Sequence, residues 1–242
     1  MLREGGSMNR TQKLKELCIA EGAGLVGVAD LAEFKKGWKV IPDDLLTLYS
    51  AAVSVAMPLD ADIVDAIVGG PTIAYARHYR EINAKLDNIT ASVVDWIKEQ
   101  GFAAAAVPAS FITDEVNLLG NISHKAVARM AGIGWQGKSL LIVSPQYGPR
   151  IRLATVLTDM PLVSDLPLKN RCGKCTECSK ACPASAIKGV LANDRYESRD
   201  EALYFSRCAD KTMEFKARAG IGARICGVCV KVCPFGKKKE QQ

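Results

Sequence analysis

The positions of the cysteines constrain this chain more than any other feature. Nine cysteines occur among 242 residues; one is Cys18, and the other eight lie between Cys172 and Cys233. A secreted disulfide scaffold spreads its cysteines through a short chain, and the first ten residues, MLREGGSMNR, lack the apolar stretch of an export signal. The clustered cysteines therefore predict metal ligation in a reducing cytoplasm.

Two cysteine strings follow a recognisable spacing. The first, CGKCTECSKACP at residues 172–183, reads C-x2-C-x2-C-x3-C-P, and the second, CGVCVKVCPF at residues 226–235, supplies three further cysteines and a proline. Cys208 lies between them. In bacterial ferredoxins with this spacing, three close thiolates bind one cubane and the fourth cysteine ligates the other cluster. The two strings therefore predict a pair of [4Fe-4S] clusters.

The interlocked spacing assigns all eight clustered cysteines. The first cluster takes Cys172, Cys175, Cys178 and Cys233, and the second takes Cys182, Cys208, Cys226 and Cys229. Structural zinc is the alternative, since paired C-x2-C units also bind zinc, but two overlapping C-x3-C-P endings favour iron–sulfur clusters. Cys18 shares a predicted helix face with Leu14 and Leu17, so we expect it in the core.

The formal charge of +6 is unevenly distributed along the chain. Residues 1–170 carry a net charge of −1 and residues 171–242 a net charge of +7. A basic segment suggests nucleic acid. However, metal-bound cysteines are thiolates and each oxidised cluster carries about −2, which lowers the total to roughly +2. Most basic residues near the strings are therefore interpreted as charge compensation, and the terminal run KKKEQQ as a solvated tail.

Helices and strands are mixed in the first 170 residues. Amphipathic spacing predicts helices at 9–22, from Ile82 to near Gly101, and at 123–131 with Ser123 as the N-cap. Apolar runs predict strands at 24–30, 51–59, 102–108, 139–145 and 150–159. The mixture predicts an α+β fold: an N-terminal α/β domain at 8–168, a linker near 165–170, and a ferredoxin-like double-cluster domain at 169–242.

The segment AGIGWQGKS, residues 131–139, matches both G-x-G-x-x-G and G-x-x-x-x-G-K-S. A phosphate loop requires a strand before it and a helix after it, because the helix N-terminus binds the phosphate. Here a predicted helix comes first and a predicted strand follows, which disfavours nucleotide binding. Two interpretations stay open: a turn that lets a large flat group approach the backbone, or a helix C-cap and turn without a ligand.

Three segments together resemble the epoxyqueuosine reductases, relatives of the corrinoid-dependent reductive dehalogenases. They are AGIGWQGKSLLIVSPQYG, LATVLTDMPL, and the double cysteine string with its intervening Cys208. YARHYREINAKL is similar to a further family segment. The resemblance extends from about residue 20 to residue 236.

The resemblance implies an iron–sulfur oxidoreductase with a cobalamin in a reductive-dehalogenase/nitroreductase-like domain. Two [4Fe-4S] clusters would deliver single electrons to the cobalt for a low-potential reduction. The implied corrin contacts are Gly134, Trp135, Gly137, Lys138, Ser139 and Ile142. The chain has no D-x-H-x-x-G motif, so neither His78 nor His124 is expected to ligate the cobalt.

Two departures from the family bear on the substrate. The slot of the proton-donating aspartate falls on Leu118, which cannot transfer a proton; Asp114, Glu115, His124 and Tyr147 are candidate substitutes, although a non-catalytic role is favoured for each. The chain also stops nine residues after Cys233, without the family's helical-repeat region that helps hold transfer RNA. Both departures disfavour transfer RNA as the partner and leave the substrate unassigned.

A rival hypothesis is a ferredoxin-type electron-transfer protein that passes electrons to a partner protein without substrate chemistry of its own. The missing aspartate favours this rival, and the retained GIGWQGKS segment opposes it. A flavin- or nucleotide-binding module ranks lowest. We expect a cytoplasmic protein served by a low-potential donor such as ferredoxin or flavodoxin, since no apolar run is long enough to cross a bilayer.

Overall fold

The chain combines helices with short strands, in the α+β class that the sequence predicts. The computed structural model describes residues 2–237, with side chains from residue 9 onward; the rest of the predicted tail, 238–242, lies outside the described residues. The helices are α1 (Leu2–Ala20), α2 (Ala61–Asp65), α3 (Ile73–Glu99), α4 (His124–Met130), α5 (Glu177–Ala181), α6 (Arg199–Ala202), α7 (Phe205–Lys216) and α8 (Val228–Lys231). The strands are β1 (Leu25–Asp30), β2 (Ala51–Pro58), β3 (Ala104–Val107), β4 (Trp135–Gln136), β5 (Ile142–Val143) and β6 (Ile151–Thr158).

The chain divides into two compact units, each built from separate stretches of sequence. The first unit comprises residues up to Met57, Asn83–Ile133 and Arg152–Leu168. The second unit comprises Pro58–Ile82, Gly134–Ile151 and the residues from Lys169 onward. The domain boundary between residues 168 and 169 stays a prediction.

A four-stranded sheet in the order β1-β2-β6-β3 forms the centre of the first unit. β1 pairs antiparallel with β2, placing Val26 opposite Val55, and β3 pairs antiparallel with β6, placing Ala105 opposite Leu157. The β2 residues 51–56 are buried without interruption, so both of its faces are covered by protein. Helices α1 and α4 pack against β1.

The first helix buries Cys18, the one cysteine outside residues 172–233. Leu14 and Cys18 are fully buried on α1, which confirms that Cys18 is a core residue. Burial, as the main cause, raises the pKa of the Cys18 thiol to about 12. Cys18 is therefore a neutral thiol that packs like a small apolar side chain.

The apolar spacing that predicted a long helix is confirmed by α3. Leu86, Val93 and Ile97 are fully buried, and Ile82 and Ile89 nearly so. These residues recur every three or four positions, which places them on one side of a helix. The chain leaves the helix at Gly101, whose φ of +82° is the left-handed conformation that glycine adopts without strain.

The glycine segment follows α4 and leads into a β-hairpin. Ser123 caps α4, since its Oγ accepts a hydrogen bond from Ala126 N at 3.3 Å. Gly132, with φ +68°, ends the helix, and Ile133 N donates to Ala128 O at 3.0 Å, as in a Schellman C-cap. β4 and β5 then pair antiparallel. The predicted order of helix, glycine turn and strand is confirmed, and the order that a phosphate loop requires is not formed.

The strand predicted at 139–145 is wrong in its length. Within this range strand β5 covers Ile142–Val143 alone, and Ser144 forms an isolated bridge with Gly148. Leu140 has φ +61° and its N–H donates to Gly137 O at 2.8 Å, so residues 137–141 form the turn of the hairpin. An apolar run was mistaken for a strand because burial in a turn and burial in a sheet produce the same sequence signal.

The second unit has an apolar core into which the cysteines pack. Its buried members are Leu140, Ile187, Tyr196, Ala202 and Leu203, and the partly buried Cys178, Cys182, Ala192 and Cys229 pack against them. Helix α8 packs against both α5 and α2. Cysteines from both strings are thus brought to the same apolar core.

Candidate metal centre

The first cysteine string forms a tight loop followed by one short helix. Cys175 N donates to Cys172 O at 3.1 Å, and Gly173 lies between them with φ +48°. Asn170 holds the start of the loop: its Oδ1 accepts from Cys172 N at 2.9 Å, and its Nδ2 donates to Gln136 O at 2.9 Å. Cys178 lies within the following helix, α5, and Cys182 at its C-cap.

The second string is organised around α8. Cys226 precedes the helix, Cys229 lies within it and Cys233 follows it. Gly227 is the N-cap residue with φ +83°, and a Cβ at this position would lie 2.5 Å from Ile67 Cδ1. Only glycine combines this backbone conformation with so close a neighbour. The glycine therefore sets where α8 presents Cys229.

Four thiols assigned to the first cluster are electrostatic neighbours. Burial raises the pKa of Cys233 to about 11, with further contributions from Cys172, Cys178 and Cys175. Burial, then Cys172 and Cys175, also raise the pKa of Cys178. Thiols far apart along the chain thus come within reach of one another.

The remaining thiols form a second group of neighbours. Burial, followed by Cys208 and Cys182, raises the pKa of Cys226. Burial raises the pKa of Cys229 strongly, and Cys226, Cys208, Cys178 and Cys182 raise it further. Cys229 is thus near both Cys178 and its own predicted group. Cys208 joins this group from α7, in which no other clustered cysteine lies.

A cavity opens beside the first group of thiols. It holds about 380 Å³ of space free of protein atoms, part of it continuous with solvent. Five of its lining residues are cysteines: Cys172, Cys175, Cys178, Cys229 and Cys233. The other walls are Gly137, Lys138, Ser139, Val143, Pro234 and Phe235. We refer to this space as the thiol cavity.

The thiol cavity suits an iron–sulfur cubane. Among the side chains described, residues 9–237, no three His, Cys, Asp or Glu are arranged to hold a single metal ion. A cubane is a larger body that keeps its four thiolates further apart than one ion does. Gly137 leaves room on one side, because a Cβ there would lie 3.5 Å from Cys172 Sγ and 2.9 Å from Val143 Cγ2. Sulfur ligands around an open space are the donor set that such a cluster requires.

The six residues named as corrin contacts lie in and around the β4–β5 hairpin. Trp135, Lys138 and Ile142 are buried side chains, and Gly134 and Gly137 are buried as well; Ser139 is half-buried. Gly137, Lys138 and Ser139 line the thiol cavity. Trp135 packs edge-on against Phe235, with ring centroids 4.9 Å apart. Their role as corrin contacts stays a prediction.

Sequence reasoning named the residues that follow Cys233 as part of the string but gave them no role in the wall of the site. Phe235 and Pro234 line the thiol cavity, and Gly148 approaches the backbone so closely that a Cβ there would lie 1.9 Å from Phe235 O. The signal in the sequence that could have indicated them is the aromatic residue directly after Cys233 and Pro234. Asn170 was also missed, because a loop asparagine that caps a cysteine turn has no distinctive spacing.

Asp114, a candidate proton donor, is held as a carboxylate by its own loop. Its Oδ1 accepts from Val116 N and Asn117 N at 3.0 and 2.9 Å, and its Oδ2 accepts from Asn117 Nδ2 at 2.8 Å. These bonds, with Asn117 N as the largest cause, lower the pKa of Asp114. Leu118 lies in the same loop with φ +54°. The arrangement explains Asp114 as a turn-forming residue.

His124 has both ring nitrogens engaged with protein groups. Nε2 lies 3.2 Å from Pro108 O and Nδ1 lies 2.8 Å from Thr155 Oγ1. A carbonyl only accepts, so Nε2 carries the proton and Nδ1 accepts from the threonine hydroxyl. Burial, as the main cause, lowers the pKa of His124 to about 4. The ring is therefore neutral at physiological pH.

Tyr147 and His78 are placed by backbone contacts. Tyr147 lies in the turn after β5, where its N–H donates to Ser144 Oγ at 2.9 Å. His78 Nε2 accepts from Asp60 N at 2.9 Å. Glu115 is exposed in the loop of Asp114. The candidate role of Tyr147 in proton transfer stays a prediction.

Within residues 2–237, no helix has the length and apolar character needed to cross a bilayer.

The cysteine-rich part of the chain matches a known protein family. Residues 171–236 match the 4Fe-4S double cluster binding domain. This range contains all eight clustered cysteines. The family match supports two clusters and disfavours the zinc alternative.

Epoxyqueuosine reductases are among the curated relatives of this chain. That of Bacillus subtilis is 35% identical over 123 residues, which are 50% of this chain and 31% of that protein. That of Listeria monocytogenes is 33% identical over 120 residues, and that of Synechocystis is 33% identical over 130 residues. The matched stretch of this chain thus covers less than half the length of these relatives, from 31% to 42%.

Solved structures of two related kinds share the fold. A catabolic reductive dehalogenase in complex with 3-bromo-4-hydroxybenzoic acid gives a TM-score of 0.74 at 19% identity, covering 96% of this chain and 32% of that one. An epoxyqueuosine reductase with an epoxyqueuosine-modified tRNA stem loop gives a TM-score of 0.61 at 23% identity, covering 97% and 67%. The chain is therefore similar to the epoxyqueuosine reductases in sequence over half its length, shares their fold, and carries a 4Fe-4S double cluster binding domain at residues 171–236.

Proposed function

We propose that this chain is an iron–sulfur oxidoreductase that passes single electrons through two [4Fe-4S] clusters. The observation that carries the proposal is the thiol cavity, where cysteines from both strings line one open space. The double cluster family match at residues 171–236 supports it. A bound [4Fe-4S] cluster supplies one-electron chemistry at low potential.

The proposed ligands of the first cluster are Cys172, Cys175, Cys178 and Cys233, and those of the second are Cys182, Cys208, Cys226 and Cys229. The mutual electrostatic influence of thiols within each set supports this division. Cys229, which is near Cys178 as well, lies where the two sets approach each other. Short separation between sets favours electron transfer from one to the other.

The protein's own contribution is to exclude water and hold the thiolates. Apolar residues of the second unit pack against Cys178, Cys182 and Cys229. Phe235 and Pro234 form an apolar wall of the thiol cavity. A hydrophobic shell of this kind limits solvent access and thereby sets the reduction potential of a cluster.

We propose a cobalamin as the electron acceptor, on the likeness in fold to a reductive dehalogenase for which B12-dependent dehalogenation is described. Of the residues first named as corrin contacts, Gly134, Trp135, Gly137, Lys138 and Ile142 are buried and Ser139 is half-buried, and their role as corrin contacts stays a prediction. No step is therefore assigned to a corrin. Direct binding decides whether a cobalamin is bound.

A second candidate function is an electron carrier without substrate chemistry. Two observations favour it: Asp114 is tied into its own loop, and both nitrogens of His124 are occupied. Neither residue is free to give a proton to a substrate, and Leu118 stands where the related reductases have an aspartate. A protein that only relays electrons needs no proton donor.

One experiment separates these functions. The full chain is purified without oxygen, reconstituted with iron and sulfide, and passed over a sizing column with hydroxocobalamin. We expect about eight irons per chain and a broad absorbance that bleaches on reduction. Co-elution of one equivalent of cobalamin with the protein supports the reductase. Protein that carries both clusters but elutes without cobalamin supports the electron carrier. Protein that binds zinc instead of iron contradicts both.

A transfer RNA anticodon stem loop carrying epoxyqueuosine is the substrate to test first, because the curated relatives are epoxyqueuosine reductases. The loaded protein with cobalamin and a low-potential donor is incubated with this RNA. Conversion to queuosine would assign the substrate. If protein that retains about eight irons does not convert this RNA, transfer RNA carrying epoxyqueuosine is excluded as the substrate.

A further inference from the structure

One lysine is buried in the wall of the thiol cavity. Lys138 is only 6% exposed, and its Nζ donates a hydrogen bond to Cys175 O at 2.9 Å. It follows Gly137, which faces Cys172 Sγ. Lysine is among the residues least often fully buried, because an ammonium loses its hydration when it leaves water.

The buried ammonium lacks the partner that usually compensates such a charge. Among the described residues, Lys138 forms no ion pair with a carboxylate, and no Asp or Glu lines the thiol cavity. Arg150, equally buried in the same unit, shows the usual solution: its guanidinium pairs with Asp65 Oδ1 at 2.7 Å. A carbonyl acceptor satisfies one of the three N–H donors of Lys138 and none of its charge.

The groups that line the same cavity as Lys138 and become anions as cluster ligands are the cysteine sulfurs. Five cysteines line the same cavity. A cubane with four thiolate ligands carries about −2 when oxidised and one further negative charge when reduced. A fixed positive charge in a region of low dielectric stabilises the more negative form more strongly. The lysine therefore favours the reduced cluster.

We propose that Lys138 is a positioning residue that raises the reduction potential of the cluster held by Cys172, Cys175, Cys178 and Cys233. The inference rests on the proposed function, since it requires that cluster. One electron from an external one-electron donor converts the cluster from −2 to −3, and the ammonium stabilises the product. The consequence is that this cluster takes up its electron at a higher potential than it would without the ammonium.

The test compares Lys138→Met, which keeps the length of the side chain and removes its charge, with Lys138→Arg, which keeps the charge. Lys174→Met is the matched control, because Lys174 is exposed in the loop between Cys172 and Cys175. The reconstituted full chain is titrated with dithionite, and the potential of each cluster is followed by electron paramagnetic resonance. Iron is counted in every variant.

We expect Lys138→Met to lower the equilibrium constant for reduction of one cluster at least tenfold, which is about 59 mV for a one-electron couple. Lys138→Arg and Lys174→Met should stay within threefold of the original protein. If a Lys138→Met protein binds both clusters and both reduction potentials are unchanged, the inference is overturned. The proposed function, which requires only the clusters, then still stands.

Iron counts cover the outcomes in which a cluster is lost. If Lys138→Met retains about four irons and Lys138→Arg about eight, the charge is needed to hold the cluster, which supports the inference. If both variants lose the same cluster, packing rather than charge is responsible, and the inference is overturned. Iron-free original protein would overturn the proposed function itself.

Discussion

At the scale of single residues, close approaches and desolvated groups decide which side chains are tolerated. Gly27 in β1 lies so near α4 that a Cβ would be 2.0 Å from Ala131 O. His124 is neutral because its surroundings lower its pKa to about 4. A substitution at Gly27 and a change of pH at His124 should therefore each change the free energy of unfolding in a predictable direction.

Gly27→Ala should destabilise the chain, because the added methyl group forces β1 and the end of α4 apart. Overpacking of this kind costs about 1–3 kcal/mol. Gly37→Ala is the control, since nothing lies within 4 Å of its Cβ position and its φ of 179° is outside the left-handed region. Urea unfolding measures both. Equal stability of the two variants would contradict the assigned contact.

His124 should make the folded state less stable as the pH falls. Its pKa is about 4 when folded and about 6.5 when unfolded, so the unfolded chain binds the proton first. The stability is fully present above about pH 6.5 and is lost as the pH falls towards 4. Between pH 7 and pH 5, protonation of His124 should lower the free energy of unfolding by about 1–2 kcal/mol. His124→Asn should lack this decrease.

The matched measurement is urea unfolding of both proteins at pH 7 and pH 5. Carboxylates titrate in both proteins and cancel in the comparison. The same loss of stability in His124→Asn as in the original protein would show that His124 is not the group responsible.

At the scale of elements, short helices carry the cysteines, and glycines set their positions. α8 is only four residues long and begins at Gly227, whose conformation and lack of a side chain bring it against Ile67 and Tyr75. A helix of this length has little stability of its own. Its position depends on packing, and so does the position of Cys229.

Gly227→Ala should reduce the iron bound by the chain. The added Cβ would lie 2.5 Å from Ile67 Cδ1, so α8 has to move and take Cys229 with it. Gly222→Ala isolates the cost of the backbone conformation, because Gly222 is also left-handed, at φ +62°, but has nothing within 4 Å of its Cβ position. Iron analysis after identical reconstitution should show a larger loss in Gly227→Ala.

At the scale of the whole molecule, the proposed ligand sets interlock: each string lends its last cysteine to the other set. Cys182 closes the first string and is near Cys226, while Cys233 closes the second string and is near Cys172. Neither string would complete its cluster alone. The iron lost when cysteines are substituted should therefore depend on which proposed set they belong to, and not on which string they lie in.

Double substitutions test this division. Cys182→Ser with Cys208→Ser removes two ligands of one proposed cluster, so about four irons should remain. Cys182→Ser with Cys172→Ser removes one ligand from each cluster and should leave far less iron. Cys18→Ala, in the core of the first unit, should retain about eight. Equal iron in the two double variants would overturn the proposed sets.

The sequence by itself determined the features that depend on local spacing. Apolar recurrence predicted α3 and the strands β1, β2, β3 and β6, and the cysteine spacing predicted the double cluster domain. Ser123 as an N-cap and Cys18 as a core residue could be predicted for the same reason. Such signals are carried by residues within one or two turns of each other, so no knowledge of the fold is needed.

Only the tertiary structure decided which distant residues surround the site. Residues 137–139, named from a resemblance as contacts of a corrin, line the same cavity as the cysteines. The run 139–145 became mostly turn, and Phe235 became a wall of the cavity. The burial of Lys138 beside Cys175 had no sequence signal, because an isolated lysine in a glycine turn looks solvated. Long-range packing places these groups together, and a pattern along one chain cannot express a distance across space.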